Sequence, residues 1–404
     1  MGTLALTTPA DLWATFDKES CRRSRRMSTR LNHAAFARHL RWSFAAVWCA
    51  LCCHTNLLGA VIPVTDAGVL SGLSPYNWVC KEDSISSSVC GASLTVGFKR
   101  TRQVTVQVDT AGITTPVPTR YPIIAWSVNG GNLQSHQLAP KETSVLLAAG
   151  VRDPVIDLYI KGMSPFEDRW SGDIPPNSVK ITSFSVDEGA STTALALPSK
   201  VWLNIGDSIM SGDGAAYAQG QGRPPNDLWA ASDDGRASYG YLLAQHYGYR
   251  EARIAYGGYN WRGGMATVPA LSTLIDQRSA TVSRLSGDVL SPAPAVALIN
   301  LGENGRPADE DVSAALYRLR SRVGKATKVI VMIALSGQGR AEITRAFNTY
   351  RSVARDDNAH LIDLGRITFA TADRQHPTAA GHREIFKAAV PALDAVLRAK
   401  GTTP

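Results

Sequence analysis

Between residues 75 and 188, apolar residues either alternate with polar ones or gather in runs of strand length. Residues 92–109 alternate with period two over much of their length, and residues 121–128 and 155–160 are short apolar runs. Asn129-Gly130-Gly131 and Pro175-Pro176-Asn177 supply turns between such runs, and no amphipathic stretch exceeds two helical turns. The pattern predicts an antiparallel β-sandwich domain over residues 75–188. A small, Thr/Ser-rich linker follows at residues 189–199. From Lys200 the period changes. Apolar runs at 201–205, 253–256, 295–301, 328–334 and 360–364 are each followed by a helical pattern, at 237–247, 266–285, 310–323, 340–355 and 378–397. Strand and helix alternating in this way predict an α/β domain over residues 200–398, a parallel sheet covered by helices on both faces.

Charge changes the picture at the N-terminus. The 404-residue chain carries a formal +8, of which +5 falls in the first 65 residues. Seven arginines lie between Ser20 and Thr65 with no acid among them, and residues 42–65 have no formal charge. This order of basic, apolar and then small residues reads as a secretory leader over residues 1–67, with Met27 an alternative start. Small residues at Gly59, Ala60 and Ala67 offer cleavage points; uncleaved, the uncharged stretch is long enough to anchor the chain in a bilayer. The expected location is therefore exported, periplasmic or secreted, with membrane contact only through this segment. The remaining body carries about +3 without a basic cluster, which excludes a nucleic-acid surface. Of six cysteines only Cys80 and Cys90 lie beyond the leader, and in an oxidising compartment they are expected to form a disulfide.

In an open α/β sheet, ligands bind beyond the carboxyl ends of the strands. The first such loop holds Gly206-Asp207-Ser208, the second Gly257-Gly258-Tyr259-Asn260-Trp261, the third Gly302-Glu303-Asn304-Gly305, and the last Asp373-Arg374-Gln375-His376-Pro377. Together they supply a hydroxyl, an imidazole, a carboxylate and oxyanion donors, the parts of an acyl-transfer site. A serine needs a neighbouring imidazole to take its proton, and a carboxylate to hold the imidazole's tautomer. Asp373, three residues before His376, suits that last role, with Asp363 its rival. The tetrahedral intermediate needs donors, for which the Ser208 N–H, a backbone N–H near Gly258 or Asn260, and the Asn304 amide are candidates. Asp207 is expected to fix the turn, and His246, His360 and His382 to be structural.

These blocks resemble the SGNH or GDSL-type serine hydrolases: Gly-Asp-Ser after the first strand, Gly after the second, Gly-x-Asn after the third, Asp-x-x-His before the last helix. The resemblance implies a flavodoxin-like three-layer α/β/α fold with esterase activity, Ser208 as nucleophile, His376 as base, Asp373 as its orienter and Asn304 in the oxyanion hole. Ile209 stands where the family commonly has Leu, Gly305 where it often has Asp, and the second block leaves Gly258 and Asn260 as alternatives. The sandwich-then-hydrolase order is similar to that of bacterial family 2 carbohydrate esterases.

No Gly-x-Ser-x-Gly elbow, phosphate-binding loop, His-Glu-x-x-His or zinc-spaced Cys/His cluster occurs, so no cofactor or metal is expected. The chain reads as an exported esterase that removes an acyl group, acetyl foremost, from a carbohydrate or polyol. A lipase or lysophospholipase, an acyltransferase, and a non-catalytic glycan-binding or assembly protein are the alternatives. An insertion at residues 213–236, with Tyr217 and Trp229, is placed to shape the pocket, and Trp126, Trp170 and Trp261 are further sugar-stacking candidates.

Overall fold

The computed structural model describes residues 59–265 and 268–398; the basic leader lies outside them. In chain order the first body contains β1 (Ala60–Pro63), α1 (Ala67–Gly72), β2 (Val79–Cys80), β3 (Ile85–Ser87), β4 (Ser93–Lys99), β5 (Gln103–Val108), β6 (Ile123–Val128), β7 (Gln134–Gln137), β8 (Ser144–Ala149), β9 (Val155–Gly162), β10 (Val179–Val186) and β11 (Ser191–Thr193). They form two antiparallel sheets, ordered β2-β3-β10-β5-β8 with β1 also on β10, and β11-β4-β9-β6-β7.

The long alternating run at 92–109 is divided between the two sheets. Its inward residues Leu94, Val96 and Phe98 lie on β4, and Val104, Val106 and Val108 on β5; all are buried. The chain crosses from one sheet to the other at Arg100, whose φ is +59°, and the Arg100 N–H is held by Asp153 at 2.6 Å. Contacts between the sheets include Phe98 against Phe184, with ring centroids 5.6 Å apart, and the Trp126 indole donating to the Leu147 carbonyl at 2.8 Å.

β1 and the first residue of α1 fall within residues 1–67, so the folded body takes in the end of the stretch read as a leader. Ala60 pairs with Val186, and Asp66 caps α1 while accepting from Thr192 at 2.6 Å. The linker region also contributes structure, as Ser191–Thr193 pair with β4. The expected disulfide is absent: Cys80 and Cys90 are both free. Cys80 is exposed, whereas Cys90 is fully buried, its thiol donating to the Lys161 carbonyl at 3.0 Å. Burial raises the pKa of both thiols, most at Cys90.

The second body contains β12 (Val201–Gly206), α2 (Ser208–Ser211), α3 (Trp229–Ser232), α4 (Tyr239–His246), β13 (Arg250–Ala255), α5 (Leu271–Leu274), β14 (Val296–Asn300), α6 (Asp309–Val323), β15 (Lys328–Met332), α7 (Arg340–Ala354), β16 (Ala359–Ile362) and α8 (Ala379–Leu397). Its sheet is wholly parallel in the order β13-β12-β14-β15-β16, the flavodoxin-like order with its switch point beside β12. Alternate residues of the buried strands serve two cores. Leu203, Ile254, Ile299 and Val331 join Leu316, Leu319, Ile343 and Phe347 of α6 and α7. Trp202, Leu298, Ile330 and Met332 join Leu243 of α4 and Ile385 and Leu393 of α8.

One expected helix is missing. The described part of the segment, residues 268–285, contains only the short α5, and its side chains bind the first body instead. Arg278 donates to the Trp78 carbonyl at 2.5 Å, Arg284 to the Tyr76 carbonyl at 2.5 Å, and Ser279 to the Asp173 carbonyl at 3.1 Å. The two bodies also meet at Arg253, whose buried guanidinium pairs with Glu251 on its own strand while its backbone N–H donates to Asn77 Oδ1 at 3.2 Å, and at Arg236 with Asp157 at 2.5 Å. Among the described residues no helix is long and apolar enough to cross a membrane.

Candidate active site

β12 delivers the chain to Gly206, where a Cβ would stand 2.3 Å from the Met210 Cβ, so only glycine lets α2 turn back this closely. Asp207 caps α2, its Oδ1 accepting from the Ile209 N–H at 3.0 Å, and Ser208 becomes the first helical residue. Burial, with the charge of Glu303 beside it, pushes the Asp207 pKa up to about 7. Asp207 is thus the turn-fixing residue expected from the sequence, and no hydrogen bond joins it to His376.

The loop before α8 is built around Asp373. Its Oδ1 accepts from the backbone N–H of Gln375 at 3.0 Å and of His376 at 2.7 Å, a turn that Arg374 completes with φ +73°. Its Oδ2 meets His376 Nδ1 at 2.8 Å, and His376 Nε2 meets Ser208 Oγ at 3.1 Å. The three side chains that the sequence placed on two separate loops therefore form one hydrogen-bonded chain, with Ser208 and His376 buried. The rival Asp363 points elsewhere, pairing with Arg340 at 3.1 Å.

Burial disfavours charge on both partners, but their mutual contact wins. At His376, the Asp373 hydrogen bond and the charges of Asp213, Asp373 and Asp207 outweigh burial and raise the pKa above the ordinary histidine value. At Asp373, hydrogen bonds from the His376 ring and backbone more than offset burial and lower its pKa. His382 is buried away from the site, its Nδ1 accepting from the Tyr239 N–H, and burial drops its pKa to about 3. It and the half-buried His360 are structural, as the sequence suggests; His246 packs edge-on to Tyr247.

A cavity of about 210 Å³ opens over Ser208 and His376. Gly257, Gly258 and Asn304 line it, so two of the expected oxyanion loops reach the nucleophile. Gly258 has φ +68°, and the Asn304 amide is oriented by donating to the Tyr259 carbonyl at 3.1 Å. Asn260 is not on the cavity wall. It bridges to Gly263 and donates to the Asn304 carbonyl at 3.3 Å, bracing the third loop against the second. Trp229, from the insertion, lines the cavity, while Tyr217 does not, and Trp126, Trp170 and Trp261 are buried elsewhere.

Sequence reasoning missed several wall residues. Pro165 and Phe166 come from the first body, just past β9, and nothing local in the sequence marks so distant a contact. Arg223 and Met265 complete the mouth. Asp213, five residues beyond Ser208 and the first residue of the insertion, is 2% exposed and lines the same cavity. No cluster of three or more candidate metal ligands occurs among the described residues.

Residues 203–389 match the model of the GDSL-like lipase/acylhydrolase family. Among solved structures, the chain is similar to a family two carbohydrate esterase from Cellvibrio japonicus, with TM-score 0.69 and 15% identity over 84% of this chain and 98% of that one. It is likewise similar to an acetyl xylan esterase from the rumen bacterium Butyrivibrio proteoclasticus, with TM-score 0.66 and 15% identity over 84% and 99%. A family two carbohydrate esterase from Clostridium thermocellum in complex with cellohexaose matches with TM-score 0.62 and 14% identity over 81% and 98%. At these identities the likeness is one of fold. A search of curated sequences finds no match. The family match covers most of the second body and supports carboxylic ester hydrolase activity.

Proposed function

We propose that this hydrolase removes O-acyl groups, O-acetyl foremost, from a carbohydrate or polyol through a Ser208-His376-Asp373 triad. One observation carries the reading: Ser208 Oγ, His376 and Asp373 form a continuous hydrogen-bonded chain at the floor of a small cavity. In this mechanism Ser208 Oγ attacks the ester carbonyl as His376 Nε2 takes its proton. The new oxyanion is met by the Ser208 and Gly258 backbone N–H groups and the Asn304 amide, each worth about 3 kcal/mol when removed. Protonated His376 then gives its proton to the departing alcohol. Water, deprotonated by the same imidazole, releases the acid from the acyl-serine.

The acetyl preference is supported by the size of the cavity, which is below the usual ligand-pocket range and closed on one side by Phe166 and Trp229. The carbohydrate acceptor is supported by fold kinship with carbohydrate esterases and by exposed hydrogen-bonding groups at the mouth. On the same reading the first body's two sheets stack as a β-sandwich, and the basic, then uncharged, N-terminal stretch directs export.

Turnover of p-nitrophenyl acetate and octanoate by the full chain and by Ser208→Ala tests the proposal. Acetate should be favoured, and the variant should lose about 10³-fold or more in kcat. Equal inertness of both proteins would remove the esterase reading, and preference for octanoate would favour a lipase.

A further inference from the structure

Asp213 has no place in the relay from Asp373 to Ser208, yet it is buried in the wall of the same cavity. Its backbone N–H donates to the Ser208 carbonyl at 3.0 Å, which fixes it one turn beyond the nucleophile. Its Oδ2 accepts from the Trp229 indole at 3.2 Å. The same oxygen lies 3.1 Å from where a Cβ on Gly257 would stand, with Pro165 2.7 Å from that point. The carboxyl thus reaches from the nucleophile's turn to the loop after β13, across the floor that an ester must occupy.

A carboxylate is costly to bury unless its acceptor positions are filled. Roughly four are available; the Trp229 indole takes one and the neighbouring Ser211 hydroxyl is placed to take a second. Among the described residues no cation pairs with Asp213 within 4 Å; Arg169 and His376 act on it only through space. The buried carboxyl faces the space where substrate sits and has hydrogen-bonding capacity left over.

We propose that Asp213 is a specificity-determining residue that binds a hydroxyl of the substrate close to the scissile ester, and so turns the pocket toward hydroxylated esters and against apolar acyl chains. The inference rests on the esterase reading above and deepens it. A hydroxyl both donates and accepts, so it pairs with Asp213 whether the carboxyl is ionised or, as burial favours, protonated. An alkyl chain in the same place strips the carboxyl of water and offers no partner, which disfavours it by an order of tenfold to a hundredfold.

The hydroxyl can belong to the acyl group or to the alcohol, and two isosteric pairs separate these sources. Ethylene glycol monoacetate against n-propyl acetate reads the alcohol side; p-nitrophenyl glycolate against propionate reads the acyl side. The full chain should favour the hydroxylated member of one pair about tenfold or more in kcat/KM. Asp213→Leu should bring that ratio toward one and raise octanoate relative to acetate. Asp213→Asn, which keeps an acceptor for the Trp229 indole, guards against misfolding of the leucine variant and should also reduce the preference. If neither pair is discriminated, or if discrimination survives in both variants, Asp213 only holds Trp229 and the inference is wrong. If the full chain hydrolyses none of these esters, the esterase reading itself fails and takes this inference with it.

Discussion

Trp229 stands edge-on to His376, with ring centroids 5.4 Å apart and planes at 88°. The same indole donates to Asp213, meets Phe166 edge-on at 5.5 Å, and lies under the Arg223 guanidinium at 5.4 Å. A single side chain from the insertion therefore limits the imidazole's rotation and joins the first body's loop to the hydrolase site. Orientation of the base matters because misplacement by about 1 Å can cost on the order of a hundredfold in rate.

Trp229→Ala should lower kcat at least tenfold and, as a buried tryptophan truncation, destabilise the fold by about 3–5 kcal/mol. Trp229→Phe keeps the edge contact with His376 and loses only the bond to Asp213, so most of kcat should return. Saturating p-nitrophenyl acetate kinetics and urea denaturation check the pair. Full kcat in the alanine variant would mean that the loop around Asp373 orients His376 unaided.

Gly214 tests the same point from the backbone side. Its φ is +76°, and an added Cβ would lie 2.8 Å from the His376 Cβ. Gly214→Ala should push the imidazole off Ser208 and reduce kcat by roughly a hundredfold, with strain of about 1–3 kcal/mol. Circular dichroism should show the fold retained. Unchanged turnover would show that the His376 loop yields without losing its alignment.

The pH dependence follows from the Asp373-His376 pair. The neutral imidazole is the base, so kcat/KM should rise with pH, with an inflection above the ordinary histidine value of about 6.5, because His376 is raised. Asp373→Asn removes the first group that raises it. The inflection should move down, and the plateau should fall by up to about 10⁴-fold as the tautomer is lost. In stability terms the raised His376 contributes fully below about pH 6.5 and ceases to contribute as pH climbs through its folded pKa. The lowered Asp373 contributes above about pH 4 and stops contributing on acidification. A rate profile flat from pH 5 to 8 would rule out imidazole base catalysis.

Much of the hydrolase site was legible because its parts are local. Asp373 and His376 lie in one loop, and each of the other groups sits just after a strand whose apolar run is unmistakable. The parallel order of the sheet follows from the strand–helix alternation for the same reason. The rest was hidden where distant segments decide local structure. Residues 266–285 have a helical pattern, yet Arg278 and Arg284 find carbonyls of the first body, and a helix is given up to reach them. Cys80 and Cys90 have disulfide spacing, but Cys90 turns inward under β9. Pro165 and Phe166 reach the cavity only through contact between the two bodies, and Asp213 is separated from an ordinary turn aspartate only by what covers it.

Asp207 gives a stability prediction independent of turnover. It is fully buried, and burial together with Glu303 raises its pKa to about 7, against about 3.9 in the unfolded chain. Between these values the folded state holds a proton that the unfolded state releases. Stability therefore falls as pH rises across that window and levels above it, by at most about 4 kcal/mol for this one group. Asp207→Asn keeps an oxygen for the Ile209 N–H and removes the ionisation. Urea midpoints at pH 5 and pH 8 should then drop less in the variant than in the wild type, and the difference between the two drops isolates Asp207 from His376, which titrates in both. Parallel profiles would mean that Asp207 stays charged in the fold throughout, and a buried donor for its Oδ2 would have to be sought.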